Sequence, residues 1–284
     1  MIISRTPFRI SFVGGGTDLR SFYMEEPGQV LSTSIDKYIY VVVKRQIGIV
    51  EFKYRVNWSK VEFCNRIEDI EHPIVREALQ LMEIDLPIEI TTFSDIPGST
   101  GLGSSSAFTV GLLHALYALK GQMVTKHKLA YEAAAIEVDI LKRTMGKQDH
   151  FASSYGNLNV FTFHKDEGVI VEPVFYRPEV PLNLEKNLLL FFTNLKRDAS
   201  QVLENQNRET PNKLDVLRKM KNLVNPLREV LSSGTNLNQV GEILHEGWIL
   251  KRQLTDDISS SVIDSYYKKA RKAGAIGGKI LGAG

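Results

Sequence analysis

Pro97-Gly98-Ser99-Thr100-Gly101-Leu102-Gly103-Ser104-Ser105-Ser106-Ala107 joins an apolar, β-branched run, Leu86–Phe93, to an apolar run, Phe108–Leu119, that reads as helix. A Gly/Ser loop between a strand and a helix has the chemistry of a phosphate cradle. Glycines let backbone N–H groups approach an anion, and the helix N-terminus adds partial positive charge. Hydroxyls at the loop end can bond phosphate oxygens or a Mg2+ ion. Gly98 and Gly103 have P-loop spacing, but Ser104 stands where that motif requires lysine. Phosphate charge must therefore be neutralised by another device. The competing reading is an ordinary Gly/Ser turn with a serine N-cap. Three glycines and three consecutive serines at one helix entrance favour the cradle.

Outward from the loop, Ile2–Val13 and Val30–Val43 are strand-like, and Val50–Phe63 alternates as a hairpin. His72–Met82 suits a short helix with Pro73 in its first turn. A second helix is expected from about Lys126 to Thr144, with Leu129, Ala133, Ile136 and Ile140 on one stripe and Gly146 as its terminator. Asn157–Phe163 and Val169–Phe175 form a hairpin pair. Pro173, Pro178 and Pro181 mark a boundary, dividing the chain into residues 1–180 and 181–284. Beyond it, Leu188–Thr193 reads as a buried strand, followed by helices over Ala199–Asn207, Asn212–Leu231, Leu237–Gln253 and Ser259–Ala273. Strands early and helices late make this an α+β chain.

Composition narrows the function. The 284 residues are 43% apolar, enough for a buried core, and 35 Lys+Arg against 33 Asp+Glu leave a net charge of +2. That balance argues against bulk-charge binding to nucleic acid but leaves room for a local basic pocket. No stretch approaches the roughly 20 apolar residues of a membrane span. Arg5 interrupts any leader-like segment, and the single cysteine, Cys64, fits a reducing cytoplasm. Cys64 reads as a small filler, and the histidines have no metal-ligand spacing.

Four segments, in order, resemble the motifs of the GHMP kinases, the small-molecule kinases that include galactokinase and mevalonate kinase. They are Arg5–Leu19, with Gly14-Gly15-Gly16-Thr17-Asp18; the loop Pro97–Ala107; Gly146-Lys147-Gln148-Asp149; and Gly274–Gly284. The match covers essentially the whole chain. Its Gly-Gly-Gly-Thr-Asp and Gly-Lys-Gln-Asp forms are most similar to the heptose-phosphate branch and its close sugar-kinase relatives. The resemblance implies a ribosomal protein S5 domain 2-like first domain binding ATP and sugar, and a ferredoxin-like second domain. It also implies that the sequence stops inside the third glycine-rich motif. The implied activity is ATP-dependent phosphorylation of the anomeric hydroxyl of a sugar phosphate, first a heptose 7-phosphate. L-Fucose or another sugar is the alternative substrate, and a non-catalytic sugar and ATP sensor the alternative function.

Site residues follow motif by motif. Pro97, Gly98, Gly101, Leu102, Gly103, Ser104, Ser105 and Ser106 would hold ATP. Ser105 and Glu137 would be the Mg2+ ligands, with Glu132 as a rival and a solvated helix residue as the plain reading of Glu137. Asp149 would accept the hydroxyl proton. Its plain reading is an N-cap for a helix starting at His150. Arg9 would pair with Asp149 and polarise the hydroxyl, where the plain reading is a surface cation. Gly16, Thr17 and Asp18 would shape the sugar pocket, against a simple Asx turn. Lys196 and Arg197 would bind the sugar's own phosphate, against a solvated loop pair. His150 reads as packing or capping rather than catalytic.

Overall fold

The computed structural model describes residues 1–195 and 199–282. In chain order it forms β1 (Ile2–Val13), α1 (Arg20–Tyr23), β2 (Gly28–Arg45), β3 (Tyr54–Asn57), β4 (Val61–Cys64), α2 (Pro73–Leu81), β5 (Ile88–Ser94), α3 (Ser104–Leu119) and α4 (Lys126–Ala134). There follow α5 (Gln148–Tyr155), β6 (Leu158–Phe163), β7 (Val169–Pro173), α6 (Glu179–Asn187), α7 (Ala199–Glu209), α8 (Leu214–Asn222), α9 (Val224–Ser233), α10 (Asn238–Lys251) and α11 (Ser261–Lys272). The seven strands make one sheet, ordered β4-β3-β5-β2-β6-β7, with β1 also on β2. At 18 residues, β2 is long enough for several partners. Its first half pairs with β6 and its second half with β5, while β1 runs antiparallel along the opposite edge.

One core lies between the sheet and the helices α2 and α3, where Phe8, Val41 and Val43 meet Leu112, Leu113 and Leu116. A second joins Phe12, Val13, Leu31 and Val160 of the sheet to Leu217, Val224, Leu227 and Trp248 of the later helices. The α+β class expected from sequence is the one observed.

Three local expectations are corrected. The helix expected to Thr144 leaves α geometry after Ala134, forms one π-helical turn over Ala135–Ile140 and closes at Leu141. The wider turn breaks the predicted stripe, so Ile136 and Glu137 are buried and Ile140 is exposed. Gly146 is thus not its terminator. A Cβ there would lie 1.8 Å from Asp18 Oδ2, so Gly146 is small because two loops meet at it. Leu188–Thr193 forms no strand, and Leu189, Leu190, Phe191 and Phe192 are exposed. A strand needs a neighbour for its N–H and C=O groups; among the described residues beyond 180 only helices form, and the ferredoxin-like arrangement finds no strand there. Finally, the helix expected over Asn212–Leu231 begins at Leu214 and breaks at Leu223. Pro226, in the first turn of α9, has no N–H to continue α8.

Candidate functional site

Arg9 is the pivot of the site. The β1–β2 register shifts between Pro7 and Arg9, and such a bulge re-aims side chains. The Arg9 guanidinium turns inward, with only 4% of the side chain exposed. Its Nε and Nη2 each donate to Asp149 at 2.6 Å, one to each carboxylate oxygen, and Nη1 donates to the Gly101 carbonyl at 2.7 Å. Its backbone N–H donates to the Leu102 carbonyl at 3.1 Å. One side chain therefore ties β1, the glycine loop and α5 together. The surface-cation reading of Arg9 fails. Asp149 is not a cap either: Lys147 holds the N-cap position of α5, and Asp149 lies in its first turn.

The loop delivers α3 to this pair. Gly103 is the N-cap residue of α3 with φ +79°, in the left-handed region, and a Cβ there would lie 3.3 Å from both Arg9 Cγ and Asp149 Oδ2. The first N–H groups of α3 have no intrahelical acceptor, so the helix opens its positive end beside Asp149. No side chain caps this end, which removes the serine-cap reading. Ser106 Oγ is buried without a partner. Gly101 packs on the third glycine-rich segment, since a Cβ would lie 2.4 Å from the Leu281 carbonyl.

Beneath α3, the π turn carries Glu137, which has no exposed surface. Ser105 Oγ donates to its Oε2, Arg143 Nη1 donates to the same oxygen at 2.5 Å, and His150 Nε2 lies 3.0 Å from Oε1. The Thr109 hydroxyl is 3.0 Å from Oε1. Burial alone would raise this carboxyl; the hydrogen bond and charge of His150, the Ser105 hydroxyl and Arg143 outweigh it and hold its pKa at about 2. The solvated-residue reading of Glu137 is thus overturned. The rival Glu132 instead accepts from the Tyr117 hydroxyl at 2.8 and 2.6 Å.

Hard oxygens on Ser105 and Glu137, touching each other at a helix N-terminus, fit Mg2+. Among the described residues no cluster of three or more His, Cys, Asp or Glu side chains could hold a metal. A Mg2+ ion here would complete its shell from water and phosphate, as that ion usually does.

The first glycine loop forms the opposite wall. Asp18 Oδ1 accepts the Gly16 N–H at 3.0 Å and Oδ2 accepts the Gln148 N–H at 3.3 Å, so it joins this loop to the start of α5. The simple Asx-turn reading misses that second bond. Burial, and then the charge of Asp149, push the Asp18 carboxyl above its ordinary value, while those N–H groups oppose the shift. Gly16 packs on Gln206 of α7, whose Nε2 would lie 2.4 Å from a Cβ. Thr17 is corrected as a substrate contact. It has no exposed surface, and its hydroxyl is 2.8 Å from the Gly14 carbonyl and accepts the Gln29 N–H at 3.0 Å. Gly98 lies in open space, with nothing within 4 Å of where a Cβ would be. Lys196 and Arg197 lie outside the described residues.

Sequence reasoning missed three groups. Arg143 and Thr109 join Glu137, and no spacing pattern marks either. Lys279, in the third glycine segment, is half-buried and its Nζ donates to the Ser11 and Phe12 carbonyls at 2.9 and 3.0 Å. Burial, and then the charges of Lys251 and Arg9, push its pKa well below the usual lysine range. His150 is fully buried, as a packing residue is, and its Nε2 also faces Glu137.

The sequence profile described as the GHMP kinases N terminal domain matches residues 73–157. The chain is 27% identical to the D-glycero-alpha-D-manno-heptose 7-phosphate kinase of Campylobacter jejuni, over 100% of this chain and 86% of that one. It is 24% identical to the bifunctional fucokinase/GDP-fucose pyrophosphorylase of Arabidopsis thaliana, over 98% of this chain but 28% of that longer protein. The crystal structure of a D-glycero-D-manno-heptose 1-phosphate kinase from Bacteroides thetaiotaomicron superimposes with a TM-score of 0.81 at 22% identity, covering 100% of this chain and 86% of that one. Profile, relative and fold agree with the four motifs in their likeness to the GHMP kinases: residues 73–157 match the N-terminal domain of that family, and the chain is similar over its whole length to the heptose-phosphate kinases and shares their fold.

Proposed function

We propose that this protein is an ATP-dependent kinase that phosphorylates the anomeric hydroxyl of a heptose 7-phosphate, giving the 1,7-bisphosphate. The observation that carries the reading is the two-pronged Arg9–Asp149 pair beside Gly103, at the open N-terminus of α3. The likeness to the Campylobacter jejuni heptose 7-phosphate kinase supports the choice of sugar.

In this reading the loop from Gly101 and the N-terminus of α3 hold the triphosphate by backbone N–H groups. Ser105 and Glu137 would hold Mg2+, which neutralises phosphate charge when bound. The sugar hydroxyl attacks the γ-phosphorus, the bond to the ADP oxygen breaks, and the hydroxyl proton passes to Asp149. Arg9 fixes the direction in which that carboxylate faces. Gly16 and Asp18 form the floor under the sugar, and Lys196 and Arg197 receive its phosphate. ATP and sugar are held by residues 1–180, with 181–284 closing the site from the other side. A reducing cytoplasmic location belongs to the same reading. Among the described residues no helix is long and apolar enough to cross a membrane.

ADP release in the presence of Mg2+ and ATP, measured across phosphorylated heptoses, hexoses and L-fucose, tests the assignment. Fastest turnover is expected with a heptose 7-phosphate. Turnover confined to L-fucose would move the assignment to a fucokinase, which the Arabidopsis thaliana relative makes the second reading. No turnover with any sugar, alongside intact ATP binding, would favour a sensor.

A further inference from the structure

Glu137 is a fully buried carboxylate, and a buried charge is costly unless something neutralises it. His150, with Nε2 3.0 Å from Oε1, shares this neutralisation with Arg143. Arg143 Nη1 donates to Ser105 Oγ at 2.8 Å and to Glu137 Oε2 at 2.5 Å. It therefore spans the two oxygens that the proposed function assigns to Mg2+, on which this inference rests. A metal ion bound to both oxygens would sit where Nη1 now sits, and two cations cannot share that position.

The backbone allows the side chain to leave. The Arg143 N–H is fixed to the Glu137 carbonyl at 2.9 Å, and Lys142 before it takes a left-handed φ of +53°. The side chain is 38% exposed, against 0% for Glu137, so its outward path is open. The loop has no lysine of the P-loop kind at Ser104, leaving the phosphate oxygens without that cation.

We infer that Arg143 is a resident competitor for the metal at the Ser105–Glu137 pair, displaced only when the metal arrives with a polyanionic nucleotide. Metal alone must break a charge-assisted bond and leave the guanidinium without a partner. Metal carried by a nucleotide gives the displaced guanidinium phosphate oxygens to bind. Metal and nucleotide then bind cooperatively, and by linkage each strengthens the other equally. Arg143 acts here as a positioning residue: it sets the order of loading and takes no part in proton transfer.

The test is Mn2+ binding to the full chain, followed by electron paramagnetic resonance of the free ion, with and without a non-hydrolysable ATP analogue. Arg143→Met should bind Mn2+ alone about tenfold or more tightly than wild type, the size expected for removing a charge-assisted hydrogen bond. The coupling between Mn2+ and the analogue should shrink by the same factor. A thermal melt of Arg143→Met establishes that the variant is folded. A folded Arg143→Met with unchanged or weaker Mn2+ affinity overturns the competitor role, while the metal pair survives if Glu137→Gln loses Mn2+ binding in the presence of the analogue. If Glu137→Gln binds Mn2+ with the analogue as wild type does, the metal assignment itself fails and this inference fails with it.

Discussion

At the scale of the residue, Asp18 shows how burial and function meet. Its carboxyl is pushed above the ordinary 3.8 by burial and by Asp149. A raised carboxyl keeps its proton to higher pH in the folded protein than in the unfolded chain. The stability this gives is fully present below the unfolded value and is lost as pH rises through the folded value. Asp18→Asn removes that loss. Its melting temperature should therefore fall less than that of wild type as pH is raised from about 4 towards neutrality, where a carboxyl ordinarily deprotonates. Parallel melting curves against pH would show that Asp18 titrates as an ordinary exposed carboxyl. The same substitution should raise the sugar KM and leave ATP affinity unchanged, which nucleotide titration checks independently.

At the scale of the element, the glycine loop and the π turn behave differently as sequence signals. Gly101 sits at φ +72° with the Leu281 carbonyl 2.4 Å from where a Cβ would be. Gly101→Val should cost about 1–3 kcal/mol in strain and abolish nucleotide binding. Gly98→Val, in open space, should melt as wild type does. Equal melting and equal ATP affinity in both variants would reduce the loop to a plain turn. The loop was legible because glycine and serine requirements are local. So was β1, whose observed span, Ile2–Val13, is the one its composition indicates. The environment of Glu137 was not legible. Its burial depends on a π turn that no periodicity announces, and on Thr109 of α3, His150 of α5 and Arg143 of the loop before α5 arriving together. Leu188–Thr193 misled for the opposite reason. Apolar composition indicates a strand, but a strand is made by its neighbours, and among the described residues none lies beside it. Asp149 itself was identified by resemblance; its ambiguity with an N-cap was resolved only when Lys147 took the cap position.

At the scale of the whole molecule, the helices after residue 180 are not an independent unit. Trp248, 1% exposed, packs in one core with Phe12, Val13 and Leu31 of the sheet. Trp248→Ala should destabilise the protein by about 3–5 kcal/mol, and both halves should still unfold in one cooperative transition. Two separate transitions by circular dichroism and tryptophan fluorescence would contradict a shared core.

That shared core holds the C-terminal end of β1 through Phe12 and Val13, and β1 carries Arg9 to Asp149. The central claim, that this pair performs phosphoryl transfer, is tested most directly by Asp149→Asn. Asparagine keeps the shape, offers Arg9 one acceptor oxygen in place of two, and cannot take the hydroxyl proton. Because Asp149 is not the cap of α5, a loss of activity cannot be ascribed to a lost cap. The decisive measurement is kcat for ADP release with a heptose 7-phosphate and Mg2+-ATP, alongside direct titration of each substrate. The account predicts a fall in kcat of about 10²–10⁴, the usual size of a general-base contribution, with both substrates still bound. Activity within tenfold of wild type would contradict it.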